Sequence, residues 1–277
     1  MQIKYVCTFW GCENDTAGIF LEKVMNAGYD GVEINLASAA SAFTPQFIKL
    51  ITNLNLQQKN FVFIPQQLSS PIKNNVSEYI QLMESTLMEL AAYEPSFINS
   101  HTGKDYFSFD DNCRVIEAAM NISSKTGIRI LHETHRGRFS FHAASLIPYL
   151  KKFPELELVG DFSHFCTVSE SMLQDQEELI EQIIPHVSHL HARIGNEQSP
   201  QVNDPSAEEW SPYFKVFTEW WKKIVKTKQQ TGCKTFTITP EFGPAPYMPA
   251  APFTQKPLSN QWDNNIYMMH ALKEIFR

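Results

Sequence analysis

Short apolar segments alternate with longer amphipathic ones along the whole chain. The short segments are rich in β-branched and aromatic side chains, which is typical of strands that are buried on both faces. They predict strands at residues 3–9, 31–36, 60–66, 96–101, 128–135, 156–162, 187–193 and 235–242.

Between these segments, apolar residues recur at steps of three and four, which places them on one face of a helix. In residues 76–93 the stripe consists of Val76, Ile80, Met83, Leu87 and Leu90. The pattern predicts helices at residues 16–27, 45–54, 76–93, 110–126, 141–153, 170–184, 212–226 and 260–276.

Strict alternation of strand and helix predicts a parallel sheet. With eight of each, closure into a (β/α)8 TIM barrel is the simplest architecture, with residues 1–277 as a single α/β domain. The alternative is an open doubly wound sheet, which usually carries a glycine-rich phosphate turn after its first strand. Here that turn reads "WGCEND" and holds one glycine.

Composition and charge narrow the classes of function. The net charge is −7 with no block of basic residues, so we expect a small-molecule substrate and no nucleic-acid partner. No apolar run approaches about 18 residues, so we expect no membrane span. The five cysteines are scattered, and the first residues do not resemble a signal peptide, so we expect a cytoplasmic protein with reduced thiols. A homo-oligomer is left open.

Ionisable residues gather where the last five predicted strands end. In a TIM barrel, catalytic groups come from these carboxyl ends, so we expect the side chains to meet at one mouth. In strand order they are His101; Glu133 and His135; Asp161 and His164; His189, His191 and Arg193; and Glu241.

Three of these residues are carboxylates, and carboxylates around one point repel each other unless a cation lies between them. Singly, Asp161 could be a helix N-cap, His191 a hydrogen-bonded core residue and Glu133 a loop residue. Together with Glu241 they predict a site for one divalent ion. Three oxygens and one nitrogen suit Mn²⁺, Mg²⁺, Co²⁺ or Zn²⁺, and spacing does not choose among them.

Motifs at these strand ends resemble those of the xylose isomerase-like TIM barrels, a group that includes sugar isomerases, epimerases and AP endonucleases. The motifs are "GYDGVEIN", "NSHTG", "HETH", "DFSH", "HLHAR" and "PEFG", in this order over nearly the whole chain. The resemblance to ketose epimerases implies that Glu133, Asp161, His191 and Glu241 hold the ion. It also implies that Glu133 and Glu241 are the catalytic acid–base pair.

The same resemblance implies that His164 and an arginine contact substrate oxygens. The nearest arginine is Arg193, two residues beyond His191, whereas the epimerases place theirs several residues beyond. His101 at the end of strand four is a further predicted substrate contact.

Five more residues have predicted roles at the mouth. His135, Arg136 and Arg138, together with Arg193, are candidates for holding an anionic group of the substrate. Alternatively, the two loop arginines are ordinary surface charges. Trp10 could be a wall against a sugar ring or simply pack, and Glu33 could orient a ligand histidine or pair with an arginine.

These features predict a divalent-metal-dependent isomerase or epimerase of a carbohydrate-like ketone, sugar or hydroxy-keto acid. One glutamate removes a proton beside the carbonyl, the ion stabilises the enediolate, and the other glutamate returns a proton. The alternative is a dehydratase of a keto-polyol such as an inosose. A non-catalytic sugar-binding barrel and an AP endonuclease are disfavoured. The AP endonucleases of this group take metal ligands from a histidine after strand three and from an Asp-x-His motif after strand seven. Here strand three ends "FIPQQ", without a histidine, and no Asp-x-His motif follows strand seven.

Overall fold

The strands form a closed ring in which each strand is parallel to its neighbours. The structure, a computed structural model, describes residues 1–57, 60–68 and 75–277. β1 pairs with β8 over the register Gln2–Thr235 to Tyr5–Ile238, which closes the ring and confirms the barrel over the open sheet. The strands are β1 Gln2–Thr8, β2 Gly31–Ile34, β3 Val62–Gln67, β4 Ile98–Ser100, β5 Ile130–Glu133, β6 Leu158–Gly160, β7 Val187–Ala192 and β8 Thr235–Pro240.

Helices connect the strands, and polar caps start several of them. The side chains of Thr16, Asn75, Ser108 and Asn260 accept hydrogen bonds from the first turns of α1, α3, α4 and α9. Among the described residues, no helix is both long and apolar enough to cross a membrane. The helices are α1 Ala17–Asn26, α2 Phe43–Leu56, α3 Val76–Ala91, α4 Phe109–Thr126, α5 Ala143–Lys152, α6 Phe162–Ser169, α7 Glu177–Ile183, α8 Ser211–Gln230 and α9 Gln261–Ile275.

The predicted helix at 170–184 is wrong in extent, and the last residue of the strand predicted at 156–162 is the first residue of a helix. β6 ends at Gly160, and α6 begins directly after Asp161, whose side chain accepts a hydrogen bond from the Ser163 amide. Phe162 and Phe165 are buried one helical turn apart, which is the stripe that the sequence reading missed. Glu170 has a left-handed backbone (φ 48°) and ends α6, so only α7 remains of the predicted helix.

Apolar packing holds the barrel beneath its polar mouth. The stripe of α3 is buried against α4. A separate apolar cluster consists mainly of strand side chains: Val6, Val62, Ile64, Phe97, Leu131 and Val159. The ring of Phe97 lies 5.3 Å from that of His189, so this cluster adjoins the polar side chains of β7.

Close approach of β2 and β3 depends on a glycine. A Cβ atom on Gly31 would lie 2.3 Å from the carbonyl oxygen of Val62 and 2.5 Å from its Cβ. Any larger residue would push the two strands apart, and β2 carries Glu33 two residues further on.

Candidate metal centre and active-site cavity

Four residues from the ends of β5 to β8 converge, as the sequence predicts. Glu133 is the last residue of β5, Asp161 follows β6, His191 lies in β7 and Glu241 follows β8. Each offers one ligand atom within 4.8 Å of the others, and all four side chains are buried. The barrel therefore gathers three carboxylates and one imidazole in a region largely shielded from water.

His191 shows that this set suits a divalent ion. Its Nε2–H donates to both oxygens of Glu33, each at 3.0 Å. Its Nδ1 is buried and makes no hydrogen bond with the residues that the structure describes; it lies 2.9 Å from Oε2 of Glu241 and 3.7 Å from Oε1 of Glu133. A ring nitrogen that faces carboxylate oxygens without a hydrogen bond is what a metal ligand presents when its other nitrogen is anchored.

Glu33 anchors this histidine from below. Besides His191, it accepts hydrogen bonds from Nε2 of His189 (3.1 Å), Nδ2 of Asn99 (2.9 Å) and Oγ1 of Thr239 (2.7 Å). Burial alone would raise the pKa of Glu33, but its two histidine partners hold that pKa well below 4.5. Glu33 is thus a buried anion that orients a candidate ligand, and its partners include no arginine among the described residues.

Glu133 is held by two donors on its Oε2. Asn99 donates from Nδ2 at 2.7 Å and His101 from Nε2 at 2.9 Å. Burial raises the pKa of Glu133, but His101 and His191 outweigh it and place the pKa well below 4.5. The carboxylate is therefore ionised at neutral pH, and Oε1 is left to face the centre.

Arg193 lies inside the centre. Its guanidinium donates to Oδ2 of Asp161 and to Nε2 of His164 (2.9 Å), and it lies 3.6 Å from Oε2 of Glu241. Although burial lowers the pKa of Arg193, Asp161 and Glu241 raise it further, so the charge is fixed. The other oxygen of Asp161 accepts from Ser163. The arginine thus compensates part of the negative charge of the three carboxylates.

A cavity of about 340 Å³ opens over the centre. Glu133, Glu241, Arg193, His101 and His135 all line it, and His164 is fully buried beside Arg193. The other lining residues are Trp10, Glu13, Asn35, Ser38, Gln66, Leu68 and Tyr247. A space of this size accommodates a small metabolite.

Trp10 and Tyr247 form an aromatic corner of the cavity. Their ring centroids are 4.9 Å apart at a steep angle. A Cβ atom on Gly243 would lie 2.2 Å from the Trp10 ring, so the indole also packs tightly on the loop after β8. Trp10 therefore packs and lines the cavity at once.

Several residues of this site were not predicted from the sequence. Asn99 bridges Glu33 and Glu133, and its signal was a polar residue inside a short apolar strand. Gln66 lines the cavity and donates to Glu33 at 3.2 Å. Tyr247 lies in a proline-rich loop, where no periodic pattern marks it.

No protein-family model matches this chain. No curated protein matches it in sequence either. Solved structures match nearly its full length. A D-tagatose 3-epimerase-like protein is 14% identical, with a TM-score of 0.66 over 98% of this chain and 96% of that one. A probable 3-DHS dehydratase, AsbF from Bacillus anthracis, is 15% identical, with a TM-score of 0.64 over 98% of both chains.

A xylose isomerase-like TIM barrel protein from Mycobacterium smegmatis, solved in complex with magnesium, is 12% identical. Its TM-score is 0.60 over 99% of this chain and 98% of that one. At such identities the likeness establishes the fold. The chain has the fold of the xylose isomerase-like TIM barrels, as its motifs predict.

Proposed function

We propose that the protein is a divalent-metal-dependent isomerase or epimerase of a small carbohydrate-like ketone. The observation that carries this proposal is the arrangement of Glu133 and Glu241. Both belong to the four-residue ligand set, and both line the cavity. Fold similarity to an epimerase-like protein and to a magnesium-bound barrel supports the proposal at the level of architecture.

Glu133, Asp161, His191 and Glu241 would hold the ion. When bound, the ion would supply Lewis-acid stabilisation of negative charge developing on neighbouring substrate oxygens. Which divalent ion is native is not determined by this donor set.

Proton transfer falls to the two glutamates. Glu133 is ionised at neutral pH and can accept a proton from the carbon beside a carbonyl. Glu241 reaches the cavity from β8, which β6 and β7 separate from β5 in the ring. Two carboxylates on different walls can act on different faces or neighbouring carbons of one substrate. That is the requirement for epimerisation or isomerisation.

The test is incorporation of solvent deuterium. Purified protein with Mn²⁺ is incubated in deuterated water with a panel of ketoses and inososes, and exchange at carbon is followed by NMR. We expect exchange with at least one ketone, and a loss of about 10²- to 10⁴-fold in Glu133→Gln and in Glu241→Gln. Glu219→Gln, an exposed glutamate of α8, is the matched control. Absence of exchange across the panel, or exchange that survives both cavity substitutions, would contradict the proposal.

A dehydratase is the second candidate because a third proton-transfer group lines the cavity. Nδ1–H of His135 donates to the carbonyl oxygen of Arg136 at 2.6 Å, which directs Nε2 as the free basic nitrogen. In an elimination, Nε2 of His135 could take the proton from the carbon beside the carbonyl and then pass it to the departing hydroxyl, which leaves as water. A product lighter by one water, observed by mass spectrometry, would identify this reaction.

A further inference from the structure

Two arginines beside the cavity have no carboxylate partner among the described residues. Arg136 and Arg138 lie in the loop between β5 and α5. Arg138 donates to the carbonyl of Gly137 (3.1 Å) and to Nδ1 of His101 (3.3 Å), and its buried Nε has no hydrogen bond. Arg136 lies 5.0 Å from the ring centroid of Tyr247. In the part of the chain that the structure describes, neither guanidinium is in an ion pair.

The neighbouring imidazoles carry no negative charge, so they do not neutralise the positive charges of Arg136 and Arg138. The rings of His101 and His135 are 4.6 Å apart, and those of His135 and His164 are 3.9 Å apart. Because Arg138 can only donate, Nδ1 of His101 accepts, and its proton lies on Nε2 toward Glu133.

This concentration of cations is local. The protein as a whole has a net charge of −7. On the β1–β3 side the cavity is lined by Trp10, Asn35, Ser38, Gln66 and Leu68, which carry no charge, and by Glu13. Arg193, His101 and His135 line the cavity, and Arg136 and Arg138 lie beside it. On an acidic protein this local gathering of basic side chains points to the ligand, because the protein is not generally basic.

We propose that the substrate carries an anionic group, a carboxylate or a phosphate, that binds against a cationic wall formed by His101, His135, Arg136, Arg138 and Arg193. This inference rests on the proposed function, because it places the ketone of the same molecule at Glu133 and Glu241. The substrate class is thus a keto acid with several hydroxyls, or a ketose phosphate, rather than a neutral sugar.

An anionic ligand would neutralise the positive charge of the cationic wall that is unpaired among the described residues. Arg193 already has two carboxylate partners, whereas Arg136 and Arg138 have none among the described residues. An anion at His101 and His135 would come under the field of both loop arginines, and the partly enclosed site would weaken screening by salt. The cavity of about 340 Å³ has room for a ligand of this size.

The test compares matched ligands by calorimetric titration of the Mn²⁺-loaded protein. Fructose is the neutral probe, 5-ketogluconate the carboxylate probe and fructose 6-phosphate the phosphate probe. We expect at least one anion to bind tenfold or more tightly than fructose, and the better one identifies the anionic group. Arg136→Gln and Arg138→Gln should each weaken that anion at least fivefold and leave the affinity for Mn²⁺ unchanged.

Arg129→Gln is the matched control, because Arg129 is exposed and pairs with Glu157. It should change no affinity. Equal binding of fructose and the anions, or no binding by any of them, overturns the cationic wall as a substrate site. A preference that survives both loop substitutions overturns it too, because the anion then binds the ion alone. Deuterium exchange into neutral ketoses in any of these cases would leave the proposed function standing.

Discussion

Replacing Glu33 by glutamine should weaken metal binding although Glu33 is not itself one of the four candidate ligands. Both oxygens of Glu33 accept from Nε2 of His191 at 3.0 Å, and this anchors the ring whose Nδ1 faces Glu133 and Glu241. A glutamine keeps the shape but loses the charge. It also presents an NH2 group to a pocket of donors: His189, His191 and Asn99.

The size of the effect follows from the contact that is lost. A hydrogen bond to a charged group contributes about 1.5–3 kcal/mol, and 1.4 kcal/mol corresponds to about tenfold in affinity. We therefore expect the affinity for Mn²⁺ to fall about 10- to 100-fold in Glu33→Gln. Substitutions of residues that orient a metal ligand typically cost the same range.

The assay is calorimetric titration of the metal-stripped protein with Mn²⁺. Thr239→Val is the graded control, because it removes one hydrogen bond to Glu33 (2.7 Å) but keeps the carboxylate that anchors His191. The affinity of Thr239→Val for Mn²⁺ should therefore fall less than that of Glu33→Gln. Circular dichroism and urea denaturation would verify that each variant is folded. An unchanged affinity in folded Glu33→Gln would refute the orienting role of Glu33.

Two further predictions concern stability. Gly31→Ala should lower the free energy of unfolding by about 1–3 kcal/mol in urea, because its Cβ would lie 2.3 Å from the Val62 carbonyl oxygen. Gly18→Ala in α1, with open space around it, should not destabilise, and equal stability of both variants would contradict this reasoning. Burial lowers the pKa of His132 to about 4, so the folded protein keeps it neutral while the unfolded chain protonates it below about pH 6.5. The contribution of His132 to the free energy of unfolding is therefore lost as pH falls from about 6.5 to about 4, by about 3 kcal/mol in total. If the free energy of unfolding of His132→Asn fell by the same amount over this pH range, the reasoning would be contradicted.

The fold was predictable because its pattern is regular. Strand ends come close to the predicted ones throughout, since each buried strand is bounded by polar residues. The prediction failed at α6, because this helix has only 8 residues and follows β6 with a single residue, Asp161, between them. A helix this short shows too little of an apolar stripe to be recognised, and the capping interaction of Asp161 with Ser163 marks its start. The sequence cannot show that this aspartate caps the helix and joins the ligand set at once.

The convergence of the four candidate ligands was predictable, and the residues around them were less so. Glu133 and Glu241 lie far apart in sequence, but their places at strand ends indicate convergence in a barrel. The position of Arg193 within the centre depends on how its long side chain turns at the end of β7, which spacing does not encode. Tyr247 depends on the path of a loop. The cytoplasmic location, the oligomeric state and the absence of a nucleic-acid partner stay predictions.

The central claim is that the barrel mouth binds one divalent ion through Glu133, Asp161, His191 and Glu241. Its most direct test is Mn²⁺ titration of the metal-stripped protein, followed by electron paramagnetic resonance. We expect one bound ion per wild-type chain, and an affinity at least 100-fold weaker in the folded Glu133→Gln/Glu241→Gln double variant. A wild-type protein that takes up no Mn²⁺, Mg²⁺, Co²⁺ or Zn²⁺, or a double variant that binds Mn²⁺ as tightly as wild type, would contradict it.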